Sequence, residues 1–306
     1  MNQTKAQAMK SPQSGLILLN KKPGITSFEA LGEVKRALGT GKVGHTGTLD
    51  KFAQGLLLVL TGRALRLTSY FSHCDKQYKG RILFGAETDT LDPEGNVIAQ
   101  EQPPTRERVE QAIKTFNGEI MQKPPAFSAI HINGQRASKL ARSGETPEMK
   151  ERAVTIYALK LEEWNPPYAG IFVHCSSGTY IRSLARDIAL AAGSRAHLSS
   201  LIRTKVASFS LDMADNAIPS VRPIDKSVIA ALGLPRYEVT PAEAENISHG
   251  KPLAPILEEK KIFSQNTLPT QNAADFSAAV FSGETLIAVA EKTGGVWKYG
   301  CVLGAI

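Results

Sequence analysis

The stretch VGHTGTLDKFAQGLLLVL, residues 43–60, constrains this chain more than any other. It sets one carboxylate, Asp50, between a turn rich in glycine and threonine and the apolar run 56–60. That run is far too short to cross a bilayer, which takes about 20 apolar residues. It reads instead as a buried strand. A carboxylate at the border of a core needs a partner to stay ionised. Either the fold brings a cation to Asp50, or Asp50 is an ordinary turn acid whose oxygens accept from nearby loop N–H groups.

The rest of the chain alternates between short strand and helix patterns. LILLN (16–20) reads as a buried strand. TSFEALGEVKRALG reads as a helix: Thr26 and Glu29 have capping-box spacing, Phe28, Leu31, Val34 and Leu38 form an apolar stripe, and Gly39 stops it. QYKGRILFG (77–85) alternates, which puts Tyr78, Gly80, Ile82 and Phe84 on one face of a strand. DPEG (92–95) marks a hairpin turn. A helix follows at 105–116, with Val109, Ile113 and Phe116 inward. AVTIYALKLEEW and GIFVHCS are two further strands, and 180–193 is a helix ended by Gly193. Strands lie close in sequence without a regular βαβ beat. The expected class is therefore α+β, with a mixed, mostly antiparallel sheet flanked by helices. Proline-rich punctuation at 216–225 and 233–239 marks a linker zone, and strand patterns such as TLIAVAEK and VWKYGCVL point to a small all-β unit beyond it. The expected division is a tail at 1–14, a main domain at 15–235 and a C-terminal domain at 236–306.

Composition narrows the partners. The 306 residues carry 36 Lys and Arg against 29 Asp and Glu, a formal charge of +7, which favours a polyanion. Cys74, Cys175 and Cys301 are far apart and the six histidines show no metal-ligand spacing. No metal, no cofactor and a reducing, cytoplasmic setting are expected. The tail MNQTKAQAMKSPQSG has no apolar core and is not a signal peptide. GTGK (39–42) fails as a phosphate loop, because Val43 stands where Ser or Thr must follow the lysine. Residues 123–153 stand apart as an insertion, with an ING turn and a short helix, ASKLARSG, that gathers Arg136, Lys139 and Arg142. A solvated surface excursion and a phosphate-gripping arm both fit that pattern.

Two other residues share the ambiguity of Asp50. Tyr78 is on the inward face of its strand, where a core tyrosine is the default. Arg182 falls in the first turn of a helix, whose dipole prefers anions. A carboxylate facing Arg182 would repair that mismatch, and Asp50 is a candidate.

The motifs taken together resemble the TruB family of tRNA pseudouridine synthases. GHTGTLDKFAQGLL resembles its central Gly-His-x-Gly-x-Leu-Asp motif, with Ala53, Gly55 and Leu57 at the family's offsets. LNKKPGITSF, DKQYKG, GTYIRSLARDI and HLSSLIRTKVASF resemble its other motifs in the family's order. The insertion resembles its RNA-clamping thumb, and the C-terminal segment, with NISHGKPL, resembles a PUA-type RNA-binding domain. The likeness runs from Gly15 onward. It implies the pseudouridine-synthase fold and isomerisation of uridine 55 in the T loop of tRNA, by base flipping and an Asp-dependent break of the glycosidic bond.

The same resemblance implies site roles. Asp50 would be the nucleophile and Arg182 its partner, holding its pKa down. Tyr78 would stack on the base and serve in proton transfer. His45 would hold the rearranged RNA loop. Lys21, Gly24, Thr48, Leu49, Tyr180, Leu201 and Arg203 would line the pocket or touch RNA, and Arg136, Lys139 and Arg142 would grip the T arm. The implied partner is tRNA alone, with no membrane and no obligate protein partner, for a monomer. Lys22, Lys51, Ile202 and Ala207 depart from the usual Pro, Pro, Arg and Gly. Two alternatives stay open: a guide-RNA-dependent synthase subunit, against which the thumb argues, and a tRNA-folding chaperone that binds without needing Asp50. A chain ending near residue 235 is expected to bind RNA more weakly yet still react.

Overall fold

The computed structural model describes residues 14–215, 220–263 and 275–304. Most of the expected tail and residues 216–219 of the linker zone lie outside these.

Strand β1 (Gly15–Lys21) leads into helix α1 (Ser27–Leu38). Thr26 and Glu29 form the expected reciprocal capping box. Strands β2 (Val43–His45) and β3 (Gln54–Thr61) follow, and β3 pairs antiparallel with both β1 and β2. Both apolar runs are buried on two faces. Ile17, Leu57 and Val59 meet Leu31 and Val34 of α1, while Leu16, Leu18, Leu56, Leu58 and Leu60 face a second core. Burial on both sides is why these strands are continuously apolar rather than alternating. Phe28 departs from the expected stripe: it is 74% exposed. It follows the buried Ser27 by one residue, a 100° step around the helix that takes it off the inward face, and Lys35 Nζ lies 5.2 Å from its ring centroid.

A short helix, α2 (Thr68–Ser72), precedes β4 (Lys76–Phe84), whose inward face carries Tyr78, Gly80, Ile82 and Phe84 as the alternation predicts. Strands β5 (Ala86–Thr88) and β6 (Val97–Gln100) form a hairpin that spans DPEG. Helix α3 (Arg106–Thr115) leads to β7 (Gly118–Gln122). In the insertion, β8 (His131–Ile132) and β9 (Gln135–Arg136) turn at Asn133 and Gly134, both with positive φ, before helix α4 (Ala137–Arg142). Strands β10 (Arg152–Asn165) and β11 (Tyr168–Cys175) form a long hairpin. Helix α5 (Ile181–Ala191), strand β12 (Ala196–Val206) and strand β13 (Phe209–Ser210) complete the first sheet.

That sheet runs β1-β3-β12-β4-β11-β10-β7, with β2 on β3 and β13 on β12. All its pairings are antiparallel except β3–β12, which are joined by only two register pairs, Gln54↔Ile202 and Arg203↔Gly55. This narrow parallel seam brings the two halves of the sheet together. Gly55 makes it possible: its φ is +107° and an added Cβ would lie 2.4 Å from the Arg203 carbonyl oxygen. Helices α3 and α5 pack on one face of the β4 half through Val109, Ile113, Leu184 and Ile188.

After α6 (Lys226–Ala231), a second sheet begins at β14 (Arg236–Glu238) and runs β14-β15-β16-β17. Helices α7 (Pro241–Ser248) and α8 (Ala254–Leu257) accompany β15 (Phe276–Ser282), β16 (Thr285–Thr293) and β17 (Val296–Val302). The small β domain thus also carries two short helices. Its residues Phe281, Leu286, Val289 and Leu303 share one core with Leu16, Leu58 and Phe71 of the main domain.

Candidate active site

The parallel seam is where the candidate residues gather. Asp50 lies in the loop entering β3, Tyr78 is on β4, Leu201 and Arg203 are on β12, and Arg182 is in the first turn of α5. The Asp50 loop is pinned at successive points. Thr46 N donates to Leu58 O at 3.0 Å. Arg203 Nη2 donates to Gly47 O at 3.0 Å and Arg203 Nε to Leu56 O at 2.7 Å. Ser27 Oγ accepts from Leu49 N at 2.9 Å and donates to Leu49 O at 3.0 Å. Beyond the acid, Gly24 N and Lys21 Nζ both donate to Lys51 O, at 2.8 and 3.4 Å. The turn is glycine-rich, yet nearly every residue of it is held.

Arg182 is the buried cation that Asp50 requires. Its Nη2 donates to Asp50 Oδ1 at 3.1 Å, and its Nε lies 2.9 Å from Oδ2. The guanidinium is only 4% exposed, whereas the Asp50 side chain keeps 35% of its surface open. The arginine is therefore fixed inside the protein and the acid is partly accessible. Arg182 also serves a second carboxylate, which no motif or spacing announces. Its Nη1 lies 3.3 Å from Asp92 Oδ2 and donates to Thr90 O at 2.7 Å. Asp92 is 5% exposed and also accepts from Thr90 Oγ1 and Glu94 N. Read as the first residue of a turn, Asp92 is both that and an arginine anchor.

This arrangement changes the expected electrostatics. Burial pushes the Asp50 carboxyl above the ordinary carboxylate value, and the neighbouring Asp92 and Glu94 charges add to that. Arg182 pulls the other way without prevailing, because burial outweighs it. The expectation that Arg182 holds the Asp50 pKa below normal is thus corrected: the net shift is upward.

Tyr78 is buried against Leu49, Ala53 and Leu201 in an apolar cluster. Burial pushes its phenol up to about 12, with Arg203 opposing. The phenol therefore rests protonated near neutral pH.

The remaining candidates divide by exposure. Lys21 is 1% exposed and donates to the carbonyls of Lys22 and Ile25 at 3.0 and 2.6 Å. Arg203 is 2% exposed. Both are internal staples of the loops beside Asp50, which is a supporting place for Lys21, and the burial of Arg203 leaves it no free surface for a phosphate. Burial brings the Lys21 amine down to about 8, with Asp50 opposing. Gly24 and Thr48 are exposed on the loops beside Asp50, and Tyr180 is half-buried as the N-cap residue of α5. His45 is partly buried, which lowers its pKa below the ordinary imidazole value and keeps it neutral; its Nδ1 has no hydrogen-bond partner among the described residues. Arg136, Lys139 and Arg142 are exposed on the insertion, and among the described residues none of them pairs with a carboxylate.

Residues 35–181 match the family described as "TruB family pseudouridylate synthase (N terminal domain)". The tRNA pseudouridine synthase B of Francisella philomiragia subsp. philomiragia is 35% identical over 283 residues, which covers 91% of each chain. This chain belongs to the TruB family of pseudouridylate synthases. Another TruB relative, the tRNA pseudouridine synthase B of Borreliella burgdorferi (strain ZS7), is 45% identical over 202 residues, 65% of this chain and 72% of the relative. Among solved structures, the fold matches a chain of "Crystal Structure of a Cbf5-Nop10-Gar1 Complex" with a TM-score of 0.66 at 22% identity, covering 94% of this chain and 84% of that one.

Two of the departures from the family's usual motifs have structural counterparts. Lys51 Nζ reaches Glu94 Oε1 at 3.3 Å across the pocket rim. Ala207 adopts φ +49°, a left-handed conformation that suits the glycine usual there. No helix among the described residues is long and apolar enough to cross a membrane.

Proposed function

We propose that this enzyme isomerises uridine 55 in the T loop of tRNA to pseudouridine, with Asp50 as the nucleophile, Arg182 as its partner and Tyr78 as the surface under the base. The observation that carries the reading is the contrast within one ion pair: an accessible carboxylate bound to an inaccessible guanidinium, over an apolar floor. A nucleophile must be reachable and must have a fixed cation beside it, and both features support the reading. The relatives named tRNA pseudouridine synthase B support tRNA as the substrate.

In the reaction the N1–C1′ bond breaks and a C5–C1′ bond forms. C5 gives up a proton and N1 takes one, so the sum is an isomerisation that consumes no co-substrate. Attack by Asp50 at C1′, attack at C6 and a glycal route all require the same ionised carboxylate. Flipping the uridine out of the folded T loop costs a few kcal/mol. Contacts from Arg136, Lys139 and Arg142 to phosphates would offset that cost. His45, only partly buried and neutral, would contact the RNA displaced by flipping through its exposed part. In this reading residues 15–235 carry the chemistry, residues 236–306 add RNA-binding surface, and the chain acts as a monomer without a guide RNA.

The test is tritium release from tRNA labelled at uracil C5, wild type beside Asp50→Asn, followed by mapping of the product. Release by wild type alone, with pseudouridine at position 55, is the expected result. Equal release by the two proteins would end the assignment of Asp50, and a product at another position would end that of the substrate site.

A further inference from the structure

We infer that Gln122 is a positioning residue for Arg182: its side-chain amide ties the foot of the insertion to the first turn of α5 and so sets the guanidinium against Asp50. The inference rests on the reading of Asp50 and Arg182 just given.

Gln122 is the last residue of β7 and is 0% exposed. Its Nε2 donates to Tyr180 O at 3.1 Å, and its Oε1 accepts from Tyr180 N at 2.8 Å. Tyr180 is the N-cap residue of α5 but has no side-chain capping bond to offer. Gln122 supplies what the cap lacks, reading both backbone groups of Tyr180 much as a neighbouring strand would. A primary amide suits this position because it presents one acceptor and one donor side by side. Arg182 follows two residues later.

The latch continues along the same two segments. Ser183 Oγ and Arg186 Nη2 donate to Lys123 O at 2.9 and 3.2 Å. Arg182 Nη2, the atom that reaches Asp50 Oδ1, also donates to Phe127 O at 2.9 Å. Residues 122–127 therefore hold 180–186 at several points, one of them on the guanidinium itself. The insertion expected to grip RNA thus has its root on the group that orients the nucleophile. A fully buried amide can also be explained as satisfied core polarity and nothing more. That explanation predicts a change in stability alone.

Gln122→Met keeps length and apolar volume and removes both bonds; Gln122→Asn keeps the amide but is one methylene too short to make both. In the full-length protein, each variant is expected to lower kcat for tRNA about 10- to 100-fold, with KM within about threefold of wild type. Displacing Arg182 should also move the acid limb of the pH–rate profile to higher pH. The charged groups facing Asp50 (Arg182, Asp92, Glu94 and Lys21) are unaltered by either substitution. Melting by circular dichroism establishes which variant is folded at the assay temperature, and either folded variant decides the question. Wild-type kcat overturns the inference, and so does a lowered kcat with the acid limb unmoved. The controls separate this from failure of the underlying reading: if wild type and Asp50→Asn release tritium alike, that reading is lost, whereas wild-type release that depends on Asp50 leaves Gln122 alone under test.

Discussion

Ending the chain at residue 235 should destroy the main domain rather than merely weaken its grip on RNA. The proline-rich zone looks like a place to cut, and the second sheet does begin just after it, at Arg236. The two sheets nevertheless share one core. Phe281, Leu286, Val289 and Leu303 belong to the same cluster as Leu16, Leu18, Leu58, Leu60 and Phe71, and all of these are at most 2% exposed. Removing one large side chain from a packed core costs about 2–5 kcal/mol. Losing four therefore forfeits roughly 8–20 kcal/mol, as much as the whole stability of a typical domain, about 5–15 kcal/mol. Polar contacts across the seam are lost as well: Tyr70 Oη donates to Glu291 Oε1 at 2.6 Å, and Arg63 donates to Leu303 O at 3.2 Å. The 1–235 protein should accumulate in inclusion bodies or, if recovered, show no cooperative melting and bind a hydrophobic dye. A soluble fragment that melts cooperatively within about 5 °C of the full chain would refute the shared-core argument. Phe281→Ala provides the graded version, with an expected loss of about 3–5 kcal/mol in urea unfolding.

Ala207→Gly should stabilise the chain by about 1 kcal/mol, because it removes a left-handed alanine; a lowered melting temperature would count against that. Changing Arg136, Lys139 and Arg142 together to Gln should weaken tRNA binding and reduce the slope of log Kd against log salt by about 2–3, with single-turnover chemistry at saturating enzyme unchanged; an unaltered salt slope would remove the insertion from the RNA interface. With the Asp50 carboxyl raised above its ordinary value of about 4, kcat/KM should fall as pH drops through a point higher than that value, since protonation removes the nucleophile; a profile still flat at pH 4 would contradict the upward shift. Leu31→Ala should cost about 2–5 kcal/mol, while Phe28→Ala leaves stability within about 0.5 kcal/mol, which equilibrium unfolding would check.

Much of the fold is legible because its elements obey simple periods. The alternation through Tyr78, Gly80, Ile82 and Phe84 and the capping box at Thr26 and Glu29 appear as read. Strand β12 is central to the main sheet, yet its sequence does not announce a strand. Its burial does not alternate, because register shifts at Leu198/Ser200 and Arg203/Lys205 each reset the phase of the strand. A period-two pattern interrupted twice in 11 residues leaves no signal to read. Phe28 shows the opposite failure: a residue of the right type at nearly the right spacing, 100° off the buried face.

The site was legible in its members but not in its charge balance. Motif spacing singles out Asp50, Tyr78 and Arg182, and an arginine at a helix N-terminus calls for an anion. One anion and one cation would make a strong pair and a low carboxylate pKa. The structure instead sets two acids on one arginine, and the second, Asp92, comes from a turn whose composition explains itself without any partner. With both acids ionised the three groups carry one uncompensated negative charge, and Lys21, which also feels Asp50, is engaged with loop carbonyls. The carboxylate with more open surface, Asp50, is the one able to give up its share of Arg182 to an incoming nucleotide. Asp92 is 5% exposed and accepts two further hydrogen bonds, so it keeps the guanidinium in place while Asp50 is engaged. A second, buried acid therefore keeps the arginine in place whether or not the first remains paired with it, which a simple pair could not do.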